Sequence, residues 1–123
     1  MQEERKKLSD RLLNFSASLI KLGRVLRKGP VDNHFARQVV RSATSAGANY
    51  EEACSGESRA DFIHKLQISL KELNETLYWL KLIDKAQINS GPEIRALAQE
   101  NKELCAIVAR SVLTAKNRSR AKL

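Results

Sequence analysis

Four stripes of apolar residues, spaced mostly by alternate steps of four and three, constrain this chain more than any other feature. The first is Leu8, Leu12, Phe15, Leu19, Leu22 and Leu26. Such a repeat keeps one side of a helix apolar over several turns, whereas a strand, whose faces alternate every second residue, cannot present it. Leu13 and Ile20 widen this first stripe, so its helix is expected to meet more than one neighbour. The second stripe is Phe35, Val39, Ser42, Ala46, Asn49 and Ala53, and it turns small and polar after Val39. The third is Phe62, Leu66, Ser69, Leu73, Leu77 and Leu80, with Ile63 and Leu70 beside it. The fourth is Ile94, Leu97, Asn101, Leu104 and Val108, flanked by Cys105 and Val112.

Three short breaks separate the stripes. In Gly29-Pro30-Val31-Asp32, Pro30 cannot continue a helix and Asp32 can cap the next. In Ser55-Gly56-Glu57-Ser58, Ser58 followed by Asp61 resembles a capping box. In Ser90-Gly91-Pro92-Glu93, Ser90 is placed as a cap with Pro92 in the first turn. The spacing predicts helices over about residues 3–26, 33–54, 59–85 and 91–115, one domain of residues 1–115, and a basic tail of residues 116–123. Helices of that length span roughly 30–40 Å, and breaks this short favour antiparallel neighbours. The expected fold is all-α, an antiparallel up-down-up-down four-helix bundle. Five Gly and two Pro in 123 residues are too few for a many-stranded β protein, and 42% hydrophobic residues suffice for a core.

Charge is unevenly spread. Residues 1–50 carry ten Lys/Arg against four Asp/Glu, residues 51–103 seven against ten, and residues 104–123 five against none. The net +8 therefore sits toward the two ends of the chain. In the expected topology both chain ends share a pole, which brings Arg5, Lys6 and Lys7 near Lys116, Arg118, Arg120 and Lys122. The opposite pole collects Lys21, Arg24, Arg27 and Lys28 with Arg37 and Arg41. Basic poles favour anionic partners, nucleic acid or an acidic protein; the alternative is charge that serves solubility alone.

Enzymatic chemistry finds little support. Asp61 and His64 have the i, i+3 spacing of a carboxylate–histidine metal pair, but a di-iron bundle needs two such pairs and two further carboxylates. Glu51 and Glu52 point about 100° apart on a helix and do not converge on one ion. No phosphate-binding loop or nucleophile elbow occurs. No enzyme activity, metal or other cofactor is expected. Cys54 and Cys105 lie on apolar helix faces and read as buried free thiols. The N-terminus lacks the apolar core of a signal peptide, and no run approaches a membrane span, so a cytoplasmic protein that does not contact membranes is expected.

The oddest segment is Arg41-Ser42-Ala43-Thr44-Ser45-Ala46-Gly47-Ala48-Asn49. Gly inside a helix costs about 1 kcal/mol relative to Ala, and Ser, Thr and Asn are poor interior formers. The expected return is a close helix approach and a buried polar network, with Asn49 and Glu52 meeting Ser69 and Glu72 across the bundle and Arg41 as a charge partner.

This string, Arg41, Ser42, Ser45, Asn49 and Glu52, then Ser69 and Glu72, resembles the bacterial four-helix-bundle family named for proteins encoded in intervening sequences of 23S ribosomal RNA genes. The resemblance covers roughly residues 8–113. It departs at Ala53, where relatives commonly carry Gly after the Glu, and the basic tail lies outside the shared pattern. The resemblance implies an up-down bundle, a homopentamer and an RNA-linked role. A related branch serves diversity-generating retroelements, where a basic pentamer binds reverse transcriptase and nucleic acid. A pentamer of this chain would carry about +40 and display each basic pole as a ring.

The sequence expectation is a non-enzymatic homo-oligomer that binds nucleic acid, RNA favoured, through Lys21, Arg24, Arg27, Lys28, Arg37, Lys116, Arg118, Arg120 and Lys122. The alternative is a protein-interaction adaptor, for example one docking on a reverse transcriptase. The seven motif residues Arg41, Ser42, Ser45, Asn49, Glu52, Ser69 and Glu72 read as structural. Aromatic residues are only 5%, and the three Phe fall on core stripes, leaving no stacking platform for bases.

Overall fold

A computed structural model describes residues 2–26 and 28–121. Four helices follow in order: α1 Gln2–Val25, α2 Pro30–Cys54, α3 Arg59–Lys85 and α4 Pro92–Ala121. Each packs against its neighbour in the chain, and α4 closes the ring on α1, so the fold is an all-α antiparallel four-helix bundle. The α2–α3 seam is the most extensive and α1–α4 the least. Arg11 clasps that weakest seam, with Nη2 2.6 Å from Glu100 Oε1 and Nε 3.1 Å from Glu100 Oε2. The two-pronged geometry is what guanidinium and carboxylate do best.

The core follows the stripes. Leu8, Leu12, Phe15, Leu19, Leu22 and Leu26 are all buried. On α3 the buried line is Leu66, Ser69, Leu73, Thr76, Leu80 and Ile83. Its steps of three and four are strict, and they place Thr76 inside where Leu77 was expected. On α2, Ala36 and Tyr50 are buried in place of Phe35 and Asn49. At Leu77 and Phe35 hydrophobicity names the wrong neighbour, and at Asn49 the assumed step does; helical phase, fixed by the rest of the stripe, decides which position faces in.

The helix ends differ from expectation in three places. α2 begins at Pro30, with Gly29 extended before it, so Asp32 lies in the first turn and favours the positive end of the helix dipole rather than capping it. At α4 the carbonyl of Gly91 accepts the first helical bond, from Arg95 N at 3.3 Å, which puts the cap one residue after Ser90. Gly91 has φ 146°, a conformation glycine reaches readily. The predicted tail is helical through Ala121. No Gly or Pro interrupts residues 93–121, and Arg118 and Arg120 in the last turn suit the negative end of the dipole. Ser58 caps α3 as expected, its hydroxyl accepting from Asp61 N at 3.0 Å.

Leu13 and Ile20, expected to meet a second neighbour, stay 69% and 38% exposed, and Val25 is exposed beside them. Cys54 and Cys105 are free and half-buried. Among the described residues no helix is long and apolar enough to cross a membrane.

Candidate nucleic-acid interface

The motif residues occupy the α2–α3 seam, and its antiparallel register determines what meets what. Arg41 Nη1 lies 3.2 Å from Glu72 Oε2, and Arg41 also bonds Glu75. The buried hydroxyl of Thr76 reaches Ser42 Oγ at 2.7 Å, and Ser42 in turn donates to Val39 O at 3.4 Å. Ser69 donates to Ala46 O at 2.8 Å. Lys65 Nζ lies 3.4 Å from Glu52 Oε1. In this register Asn49 falls opposite Leu66, away from Ser69 and Glu72. Its amide instead donates within α2, to Ser45 O at 2.9 Å and Ser45 Oγ at 3.2 Å. The expected four-residue cluster is therefore a ladder of separate contacts, with Arg41–Glu72 as its one expected rung.

The other four rungs escape the sequence reading, though spacing marks two of their residues. Glu75 lies three residues beyond Glu72, and Thr76 one heptad beyond Ser69; both spacings mark a shared helix face. Every buried polar side-chain atom among the described residues has a partner. The ladder fixes register and closes α2 on α3.

Glu75 also ties the ladder to the single Trp. Trp79 Nε1 donates to Glu75 Oε2 at 2.9 Å. This bond is the main cause that holds the Glu75 carboxyl below the usual carboxylate range, with Arg41 adding to it against the opposing effect of burial. A depressed folded pKa contributes stability above the unfolded value, and that stability is lost as pH falls through the folded one. Acid titration of Trp79 emission is expected to show a transition below about pH 4.3. Glu75→Gln removes that transition; its persistence in the variant would assign it to another group.

Trp79 continues into a chain of aromatic rings. It stands 5.9 Å from Phe35 and 5.4 Å from Tyr78, and Phe35 is 5.1 Å from His34. Tyr78 is 60% exposed. The expectation that the three Phe lie in the core is thus corrected: Phe35 and Phe62 are only half-buried. The α2–α3 crossing gathers rings that lie scattered in the sequence.

The candidate cations lie on both poles. Arg24 and Arg37 join Arg41 around a groove of about 540 Å³ between α1 and α2, floored by Ile20, Gly23 and Val40. Lys21 is exposed on the same end of α1, and Lys28 in the connection that follows. At the other pole Lys116, Arg118 and Arg120 ride the last turns of α4. Arg118 lines a second cavity of about 550 Å³ together with Arg5, Arg59 and Arg110. Arg59 and Arg110 were not predicted. Arg110 and Arg118 are eight residues apart on one helix, a spacing that shares a face; Arg59 joins them only through the bundle. Arg27 and Lys122 lie outside the described residues. Among the described residues, none of the seven remaining candidate cations belongs to an ion pair. The carboxylates Glu72, Glu75, Glu100 and Glu103 are by contrast engaged with Arg41 or Arg11.

Residues 5–110 match the model of the 23S rRNA-intervening sequence protein family. A solved structure is similar over 88% of this chain and 96% of its own, with 32% identity and a TM-score of 0.82. It is a protein of unknown function from the S23 ribosomal protein family of Bacteroides thetaiotaomicron. Among curated proteins none matches the chain. Both the seam ladder and most of the basic surface fall within the matched span, and the chain belongs to the 23S rRNA-intervening sequence protein family.

Proposed function

We propose that this protein is a non-enzymatic, homo-oligomeric bundle that binds nucleic acid, RNA in preference to DNA, through its two basic poles. One observation supports the reading: the seam carboxylates Glu72, Glu75, Glu100 and Glu103 are engaged by Arg41 and Arg11, while Lys21, Arg24, Lys28, Arg37, Lys116, Arg118 and Arg120 form no ion pair among the described residues. Cations held in solvent without partners release counterions from a phosphate backbone on contact, so binding is phosphate-led and salt-sensitive. Self-association is supported by the apolar residues Leu13, Ile20 and Val25, which the single chain leaves exposed. Free thiols suit a reducing cytoplasm.

Fluorescence anisotropy of a labelled structured RNA and of a DNA duplex, at low and near-physiological salt, tests the reading. Submicromolar RNA binding is expected, falling steeply with salt and at least tenfold weaker in Arg24→Gln/Arg37→Gln. Retained wild-type affinity in that variant removes the α1–α2 pole from the interface. The alternative, a protein adaptor, is favoured by one feature: the α1–α2 groove has an apolar floor between arginines, a surface suited to an acidic amphipathic segment. Negligible affinity for both nucleic acids at physiological salt decides for the adaptor.

A further inference from the structure

The cavity at the pole where the chain begins differs in kind from a solvated basic surface. Its walls come from all four helices: Arg5 from α1, Tyr50 from α2, Arg59 from α3, and Arg110 and Arg118 from α4. The floor is apolar, with Leu8, Phe62 and Ile107. Glu4 is the one carboxylate among its described lining residues, against four guanidinium groups. None of the four forms an ion pair among the described residues. Like charges facing one cavity repel, and a bound anion reverses the sign of that interaction.

Two features set the kind of anion. Guanidinium groups present paired donors that match phosphate oxygens, and they stack on flat rings. Arg5 already lies over the Phe62 ring, its Cζ 5.0 Å from the centroid. Tyr50 is buried at the wall; burial, with Cys54 beside it, pushes its hydroxyl above the ordinary range, so it stays a neutral donor. A volume of about 550 Å³ suits a drug-sized molecule, not a bare inorganic ion, which would leave the apolar floor wet.

We propose that this cavity binds a nucleoside monophosphate group, its phosphate on Arg59, Arg110 and Arg118 and its base against the Arg5–Phe62 stack and Ile107. The choice of a nucleotide rests on the nucleic-acid reading above; the anion-binding, ring-accepting character of the cavity does not. The group has two sources, a free nucleotide or the 5′-phosphorylated end of an RNA strand.

Heteronuclear NMR titration of the full chain with 5′-AMP, adenosine and inorganic phosphate tests the site. AMP is expected to bind at least tenfold more tightly than either of the others and to shift the amides around Leu8, Phe62 and Ile107. Arg110→Gln/Arg118→Gln, two exposed positions, is expected to weaken AMP at least tenfold with unchanged thermal unfolding. Equal affinity for AMP and adenosine, or full affinity in the double variant, overturns the proposal. A 12-mer RNA then separates the sources. Tighter binding with a 5′-phosphate than with a 5′-hydroxyl assigns the strand end, and equal binding alongside tight AMP assigns the free nucleotide. Arg24→Gln/Arg37→Gln keeps AMP affinity while losing structured RNA, so failure of the broader reading and failure of this site are distinguishable.

Discussion

Asn101→Asp is expected to destabilise the fold by about 3–5 kcal/mol at neutral pH, whereas Asn101→Leu costs about 1 kcal/mol or less. Asn101 sits on the α4 seam with 0% exposure. With its amide oriented to satisfy both neighbours, Nδ2 donates to Leu73 O at 3.0 Å and Oδ1 accepts from Leu77 N at 3.1 Å. Those two groups stand one turn apart on α3, at the spacing of an ordinary helical hydrogen bond. Leucine at position 101 therefore orphans neither of them. Aspartate sets a buried carboxylate against the Leu73 carbonyl, with the nearest Arg on α4, Arg95 and Arg110, more than a turn away along the helix. Burial raises the folded pKa of such a carboxyl. The penalty is then absent below the unfolded pKa and grows as pH rises toward the folded one. Urea unfolding of both variants at pH 4 and pH 7 checks this; an aspartate variant as stable as wild type at pH 7 would show that water reaches the site.

The second large effect separates two glycines. A Cβ built on Gly23 would lie 2.8 Å from Val40 Cγ2, closer than packed carbons approach. Gly23→Ala is expected to cost about 1–2 kcal/mol and Gly23→Leu about 3 kcal/mol or more, because Val40 is a short branched side chain with little room to turn. Gly23→Ala in a Val40→Ala background recovers most of the alanine penalty. At Gly47 the same Cβ would meet Ser16 Oγ at 3.5 Å and Leu12 Cβ at 3.9 Å, ordinary contacts. Gly47→Ala is therefore expected to stabilise by about 0.5–1 kcal/mol through helix propensity and the unfolded chain. Thermal unfolding of the variants decides it. Opposite signs at the two positions are the expected result, and a destabilised Gly47→Ala would place a neighbour on α2 that the single chain does not contain.

Those glycines show where reading the sequence succeeds and where it stops. A run of small residues marks Gly47, yet of these two helical glycines the tighter approach is at Gly23. Gly23, between Leu22 and Arg24, carries no local mark of what will stand opposite. The same holds for the polar rungs. The sequence marks Arg41 as a charge partner for the polar cluster, but it does not single out Glu75 or Thr76, and the register denies Asn49 the partners Ser69 and Glu72. Arg118 was read as one residue of a basic tail; the structure makes it part of a helix and of a cavity shared with Arg5, Arg59 and Arg110.

The sequence by itself determined the number of helices, their buried faces to within a residue, their antiparallel order and the family. These follow from periodicity, breaks and an ordered motif, all local along the chain. Only the tertiary structure decided which side chains meet: the α2–α3 register, the Gly23 approach, the aromatic chain on Trp79 and the four-helix cavity of arginines. Those depend on the axial offset between helices. A shift of one turn moves every partner by about 5.4 Å while leaving each helix's own pattern unchanged.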